Sequence, residues 1–318
     1  ALVLGFSVTE PTPGYVETAS SLAGAGDPFD ITKLAIGGCQ PKKLKFLMDA
    51  ILADQSPDVV VLEIGTFGFA GTGTWESRHA QDIYAILHVL ARAGVRVGML
   101  DLPRMDHDQG GLWVHATHAT ICRDLGLPYL RVDLVPDWLR DVVHPTPEGT
   151  EHYARKLLQL LAQFHDPKLG RTDPDRLPRR DIDYSAAFAT DVMLDPLQTE
   201  EFTRAGYRIP VAVLPEGQSV QLQVPTGWAV CGLGYITGPL AGGIVVQVGE
   251  KHRDYMCYDP WAYYARASFV EFEPADVPAI GVTQRPGQPD IALLKGEPNL
   301  DPRQGKLISI LLQRPVPE

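Results

Sequence analysis

The sequence predicts an α/β protein in two parts: a three-layer α/β/α domain on a parallel sheet over residues 1–164, followed by an all-β sandwich over residues 186–318. Three observations predict it. Up to about residue 164, short apolar strands alternate with stretches whose apolar residues recur every three or four positions. A charged, proline-rich tract over 165–185 then interrupts the pattern and reads as a linker or surface strap. Beyond it the apolar period falls to two, with Gly-Pro, Gly-Gly and Asp-Pro as punctuation. A length of 318 residues accommodates two cores.

Each element follows from its own residues. Ala1–Gly5 is a short apolar strand and Thr32–Gly37 a second. Pro41 opens a helix where proline is tolerated, and Leu44, Leu47, Met48, Ile51 and Leu52 give it one apolar face. Asp58–Ile64 is a β-branched run suited to a strand buried on both faces. A helix near Glu76–Ala93 places Ile83, Leu87 and Leu90 together, and Gly94 ends it. Arg96–Leu102 is the fourth strand, a helix near Leu112–Asp124 ends at Gly126, and Pro128–Val132 is the fifth strand. Thr146 caps the last helix, with Pro147 in its first turn and Tyr153, Leu157, Leu160, Leu161 and Phe164 as its buried stripe. Strand–helix alternation implies right-handed crossovers and a parallel sheet. In such sheets, sites form beyond the carboxyl ends of the strands. In the second part, Val220, Leu222 and Val224 alternate with polar neighbours, as do Ile308, Ile310 and Leu312. Seven or eight short strands are expected there.

Bulk properties narrow the function classes. A net charge of −11 repels phosphate backbones and anionic lipid, which argues against nucleic acid and membrane surfaces as partners. No apolar run approaches the ~20 residues of a membrane span. The chain opens directly in an apolar strand rather than with Met, so a processed or truncated N-terminus is expected, and neither compartment nor oligomeric state is legible. Cys39, Cys122, Cys231 and Cys257 form no C-x-x-C pair, which weakens zinc-ribbon and redox readings. Cys231 and Cys257 are either a disulfide or, more in keeping with scattered cysteines, buried thiols.

The chemistry-bearing residues lie in the loops after the strands. Ser7 follows the first strand in Gly5-Phe6-Ser7-Val8-Thr9-Glu10, where its hydroxyl can face a cleft. Alone it reads as an ordinary turn serine. Asp141-Val142-Val143-His144-Pro145 puts an acid and a histidine on one short turn after the fifth strand. An aspartate so placed holds the imidazole in one tautomer, and the imidazole acts as a general base toward a serine hydroxyl. A surface ion pair is the plainer reading of the two.

These pieces, in this order, resemble the SGNH (GDSL-like) hydrolase superfamily over residues 1–164. The first block stands as Gly5-Phe6-Ser7 with Thr9-Glu10, the second as Leu34-Ala35-Ile36-Gly37-Gly38, and the last as Asp141-Val142-Val143-His144-Pro145-Thr146-Pro147-Glu148-Gly149. The resemblance implies a flavodoxin-like α/β/α fold and a Ser7–His144–Asp141 triad. It also implies an oxyanion hole from the Ser7 and Gly38 amides, and no cofactor or metal. The third block departs: Gly65-Thr66-Phe67-Gly68 carries Phe67 where the family has the asparagine of its oxyanion hole. Losing such a donor typically costs ~10²–10³ in rate. Thr66 is a candidate replacement donor. Phe6 likewise stands where the first block has aspartate.

The resemblance implies a serine esterase removing acyl groups, O-acetyl foremost, from a carbohydrate or another small ester substrate. An O-acyltransferase to a glycan would use the same triad. A glycan- or protein-binding protein with a degenerate site is the alternative that Phe67 motivates. Other clusters have blander explanations. Cys39 adjoins Gly38 but reads as a packing residue. Asp106-His107-Asp108 with His115 and His118 could bind metal, yet a solvated loop and helix face explain them equally well. Trp228, Tyr235, Tyr255, Tyr258, Trp261, Tyr263 and Tyr264 are either core residues or stacking surfaces for sugar rings, the latter making the sandwich a candidate carbohydrate-binding domain.

Overall fold

The computed structural model describes residues 1–24, 28–67, 74–106 and 112–316. They form two compact units: Ala1–Arg180 with Ala205–Tyr207, and Asp181–Arg204 with Arg208–Glu318.

The first unit is built on five parallel strands: β1 (Leu2–Gly5), β2 (Thr32–Ala35), β3 (Val59–Glu63), β4 (Arg96–Asp101) and β5 (Tyr129–Arg131). Their spatial order is β2-β1-β3-β4-β5, the doubly wound flavodoxin-like order. Every residue of β1 and β3 is buried, which explains their unbroken apolar runs. Val3, Val59, Val61, Leu100 and Leu130 face one helical layer, made of α1 (Tyr15–Ala23) and α5 (Pro147–Ala162). The opposite layer holds α2 (Pro41–Gln55), α3 (Thr74–Arg92) and α4 (Leu112–Leu125), packed α2 on α3 and α3 on α4.

The elements expected from sequence are present, and α1 is an additional one. Its segment follows Pro11, Pro13 and Gly14, which read as loop punctuation. Gly14 instead serves as the N-cap, and the Glu17 side chain reaches back to accept its amide at 2.9 Å. At the far end of the unit, Thr146 caps α5 by accepting from the Gly149 amide at 3.2 Å. A Cβ at position 149 would lie 2.3 Å from the Trp138 carbonyl oxygen, so the close approach of the preceding loop requires glycine.

The segment after α5 lies along the first unit. Val97 donates its amide to the Gly170 carbonyl at 2.7 Å, and His88 Nε2 bonds the Pro178 carbonyl at 2.8 Å. Strand β6 (Ile182–Phe188) then begins the second unit, inside the tract that composition marks as a linker.

The second unit adds α6 (Ala189–Val192) and the strands β7 (Gln198–Arg204), β8 (Tyr207–Pro215), β9 (Ser219–Gln223), β10 (Ala229–Thr237) and β11 (Gly243–Val248). It is completed by β12 (Lys251–Met256), β13 (Arg266–Ala275), β14 (Ala279–Gln284) and β15 (Gln304–Pro315). One sheet runs β13-β10-β15-β8-β7, with β6 also paired to β15, and the other runs β12-β11-β14-β9. Leu222, Val246 and Val282 of the smaller sheet share a core with Leu233, Leu307 and Ile310 of the larger one, which makes the unit a sandwich. There are more strands than expected, because the polar β7 and the half-buried β6 carry little apolar signal. Strand β9 alternates as the sequence suggests, whereas Leu307–Leu312 of β15 is buried without alternation, as befits a central strand covered on both faces. All four cysteines are buried free thiols, so Cys231 and Cys257 are not a disulfide.

Candidate active site

The loops after β1, β2, β3 and β4 gather at the carboxyl edge of the first sheet. Beyond β1, the amides of Thr9 and Glu10 both donate to the Phe6 carbonyl, at 3.1 and 3.0 Å, closing a turn that carries half-buried Ser7 at its crown. Beyond β2, the Cys39 amide donates to the Ile36 carbonyl at 3.1 Å. This turn needs Gly38, whose φ of 73° disfavours any side chain. The space where a Cβ would stand is open, and Gly38 is exposed. Among the described residues, no backbone hydrogen bond engages the amide of Ser7 or of Gly38.

Asp141 and His144 meet as their spacing suggests. Asp141 Oδ1 accepts the Val143 and His144 amides at 2.9 and 2.8 Å, which winds the turn around the carboxylate. The imidazole Nδ1 donates to the same carboxylate, 3.0 Å from Oδ1 and 2.9 Å from Oδ2. Partial burial pushes the Asp141 carboxyl upward, but the two amides and the imidazole outweigh it and hold it below the usual range. The carboxylate thereby fixes the Nδ1–H tautomer and leaves Nε2 as a base.

Packing brings the serine and histidine loops to the same rim. Val8, beside Ser7, and Val143, beside His144, belong to one buried cluster with Leu139, Tyr15 and Tyr153. Helices α1 and α5 leave these loops and pack together, with Tyr15 and Tyr153 edge to face at 6.3 Å. The Met105 amide donates to the Val142 carbonyl at 2.9 Å, tying the histidine loop to the one after β4. Among the described residues, no hydrogen bond joins the Ser7 hydroxyl to the His144 ring. Such bonds commonly tighten only when substrate arrives.

In the third-block loop, Thr66 turns inward. Its hydroxyl is buried and hydrogen-bonded to Glu63 Oε1 at 2.7 Å. The Phe67 ring stacks on His79 at 5.0 Å, in a cluster that His79 shares with the Trp113 ring at 5.4 Å. An aromatic side chain at position 67 therefore has a packing role where an asparagine would have had a polar one. Gly68 lies outside the described residues.

Two buried carboxyls beneath this rim escaped the sequence reading. Glu63 ends β3, and Asp101 ends β4. Asp101 accepts from His118 Nδ1 at 2.7 Å and from the Tyr129 hydroxyl at 2.9 Å, and His118 Nε2 shares a hydrogen with His79 Nε2 at 2.8 Å. Burial alone would raise the Asp101 carboxyl, but His118 and Tyr129 hold it below its ordinary value. Burial, and next the nearby His118, depress His79 to about 3, so the outer ring of the chain is neutral. The available signal was an acidic residue at the end of an otherwise apolar parallel strand.

Of the residues considered for metal, His118 is bound to Asp101, and Asp106 is clasped by Arg104 through two bonds of 2.8 Å. Among the described residues, no three His, Cys, Asp or Glu side chains are arranged to hold an ion. His107 and Asp108 lie outside them. Cys39 is buried. In the second unit, Tyr235 and Tyr258 are core residues, Trp261 is half exposed, and Tyr263 and Tyr264 pair at 5.1 Å. No described helix is long and apolar enough to cross a membrane.

No family model matches the chain, and no curated protein matches it significantly. Solved structures do. A two-domain esterase (CEX) active on acetylated mannans, co-crystallised with mannopentaose, aligns over 100% of this chain and 90% of its own, with 14% identity and a TM-score of 0.66. A second structure of a two-domain esterase of that description aligns over 100% and 91%, with 15% identity and a TM-score of 0.65. A GDSL-like lipase from Bacteroides thetaiotaomicron aligns with 51% of this chain and 87% of its own, with 17% identity and a TM-score of 0.41. The whole-chain alignment at a TM-score of 0.66 shows that this chain has the fold of the two-domain esterase, here an α/β unit on a doubly wound parallel sheet followed by a β-sandwich.

Proposed function

We propose that this chain is a serine esterase that removes acyl groups, O-acetyl foremost, from carbohydrate. Ser7 Oγ attacks the acyl carbonyl while His144 Nε2 takes its proton. The proton then passes to the departing sugar hydroxyl, and water releases the acyl group by the reverse sequence. Asp141 holds the tautomer and supports the imidazolium. The Ser7 and Gly38 amides receive the oxyanion, in a hole that lacks the side-chain donor lost with Phe67. The observation that supports this reading best is the Asp141–His144 pair at 2.9 Å on a loop packed in one cluster with the Ser7 turn. The acetylated-mannan activity of the structurally similar esterase points to the substrate class.

The test is a serine-directed phosphonate followed by mass spectrometry, alongside acetate release from acetylated mannan and xylan. One adduct at Ser7 and release of acetate are expected. A folded protein with neither would leave the binding-protein reading. Acetyl appearing on an added glycan in place of free acetate would mark a transferase.

The sandwich is proposed to hold the glycan. Trp261 is 50% exposed and follows Asp259, whose carboxylate accepts the Trp261 amide at 2.9 Å. An exposed indole offers a face on which a sugar ring stacks. Trp261→Ala is expected to weaken binding of an acetylated oligosaccharide about tenfold, the size of a lost stacking contact, and to leave turnover of a small acetate ester unchanged. Equal glycan affinity in calorimetric titrations of both forms would remove this role.

A further inference from the structure

Glu63 is fully buried at the end of β3, directly under the Ser7 turn. Its Oε2 accepts the Thr9 hydroxyl at 2.9 Å, and its Oε1 is hydrogen-bonded to the Thr66 hydroxyl at 2.7 Å. Phe6 and Thr9 flank Ser7 in the same tight turn, while Thr66 belongs to the loop after β3. One side chain therefore fastens two of the loops at the rim, those after β1 and β3. The arrangement needs a bare backbone at Gly5: a Cβ there would stand 2.2 Å from Thr9 Oγ1 and 3.1 Å from Glu63 Oε2. The first-block glycine and Thr9 thus have a shared physical purpose, to let the turn close onto this carboxyl.

We propose that Glu63 is the positioning residue of the nucleophile turn, setting where the Ser7 hydroxyl and amide stand by holding Thr9, and through it the turn closed on the Phe6 carbonyl, against the floor of the sheet. The inference rests on the reading of Ser7 as nucleophile and adds a residue that the triad does not include.

The titratable groups facing Glu63 define how the device works. Tyr15 approaches from α1, Tyr153 from α5 and Asp101 from β4. Burial, with Asp101 adding to it, pushes the Glu63 carboxyl up to about 8 against the pull of its hydrogen bonds, so at neutral pH it keeps its proton. The place of that proton follows from the partners. The Tyr15 hydroxyl is buried, and among the described residues Thr9 Oγ1 is its hydrogen-bond partner, at 2.9 Å. A proton on Oε2 would turn the Thr9 hydrogen toward Tyr15 and strand the phenol. The proton on Oε1, donated to Thr66, keeps Tyr15→Thr9→Glu63 intact and frees the Thr66 hydrogen. Ionisation adds a second buried negative charge beside Asp101, beneath the site where the oxyanion develops. Turnover is therefore expected to fall as pH rises through about 8.

Four variants test this in the full chain, read as kcat and KM on a small chromogenic acetate ester across pH, with circular dichroism for folding. Glu63→Ala is expected to lower kcat ~10²-fold, the cost of a misplacement near 1 Å, with KM little changed. Glu63→Gln is isosteric with the neutral carboxyl, can donate to Thr66 through its amide, and is expected to recover most of that loss while abolishing the alkaline fall. Thr9→Val, which removes one tie, is expected to lower kcat about tenfold. A folded Glu63→Ala protein with wild-type kcat overturns the proposal. Should that variant not fold, an unaltered alkaline fall in Glu63→Gln together with wild-type kcat in Thr9→Val overturns it. Ser7→Ala run in parallel separates the two claims: surviving turnover there defeats the nucleophile reading itself, whereas a dead Ser7→Ala enzyme beside unaffected Glu63 and Thr9 variants defeats only the positioning role.

Discussion

Replacing His144 with alanine is expected to lower kcat for an acetate ester by about 10⁴-fold or more, and Asp141→Asn by nearly as much. Without the imidazole, the Ser7 hydroxyl has no base at the rim to take its proton. The Asp141→Asn variant isolates the reason the pair works. Its side-chain amide would keep an oxygen for the Val143 and His144 amides, now accepted at 2.9 and 2.8 Å, so the turn should survive. Its NH₂ group would face Nδ1 with a hydrogen, reversing the tautomer and leaving Nε2 protonated when it must act as a base. Asp141 is half exposed, so little folding energy rides on the change. Steady-state kinetics with folding checked by circular dichroism decides it. Turnover within tenfold of wild type in a folded His144→Ala protein would show that the chemistry runs elsewhere.

The second large effect concerns folding. Asp101→Ala should remove on the order of 3–5 kcal/mol of stability from the first unit at neutral pH, a large share of the ~5–15 kcal/mol typical of a domain. The deletion strands the fully buried His118 ring, which now donates to the carboxylate at 2.7 Å, and takes from the Tyr129 hydroxyl its shorter partner, at 2.9 Å. The sign with pH follows from the depressed Asp101 carboxyl. Its stabilisation is present above the unfolded-state pKa and disappears as pH falls through the lower folded value. The gap between wild type and variant should therefore narrow in acid. Urea denaturation followed by the helical circular dichroism signal, which comes almost wholly from the first unit, measures it. A loss below about 1 kcal/mol at neutral pH would mean that the chain of imidazoles finds other partners.

Much of the architecture was legible because it is written in periodicity. The runs at Leu2–Gly5 and Val59–Glu63 cannot face water, so they had to be parallel strands under helices, and Thr146-Pro147 had to start a helix. Helix α1 was hidden because a glycine cap and a back-bonded Glu17 replace the usual signals, behind two prolines that suggest a loop. Within the candidate site, Asp141 and His144 were legible because three residues of separation on one turn bring two side chains together without help from the rest of the chain. Glu63 and Asp101 were not, since their meaning comes from Thr9, Thr66, His118 and Tyr129, which approach from other strands and helices.

Sequence by itself thus determined the layered fold, the order of its strands' loops and the acid–histidine turn, all properties of short-range pattern and local geometry. Tertiary structure alone decided which hydroxyls face inward, why an aromatic ring occupies position 67, and that two carboxyls lie dry beneath the rim. Burial and partnership are set by residues distant in the chain, and the protonation of a carboxyl follows from what surrounds it rather than from where it stands in the sequence.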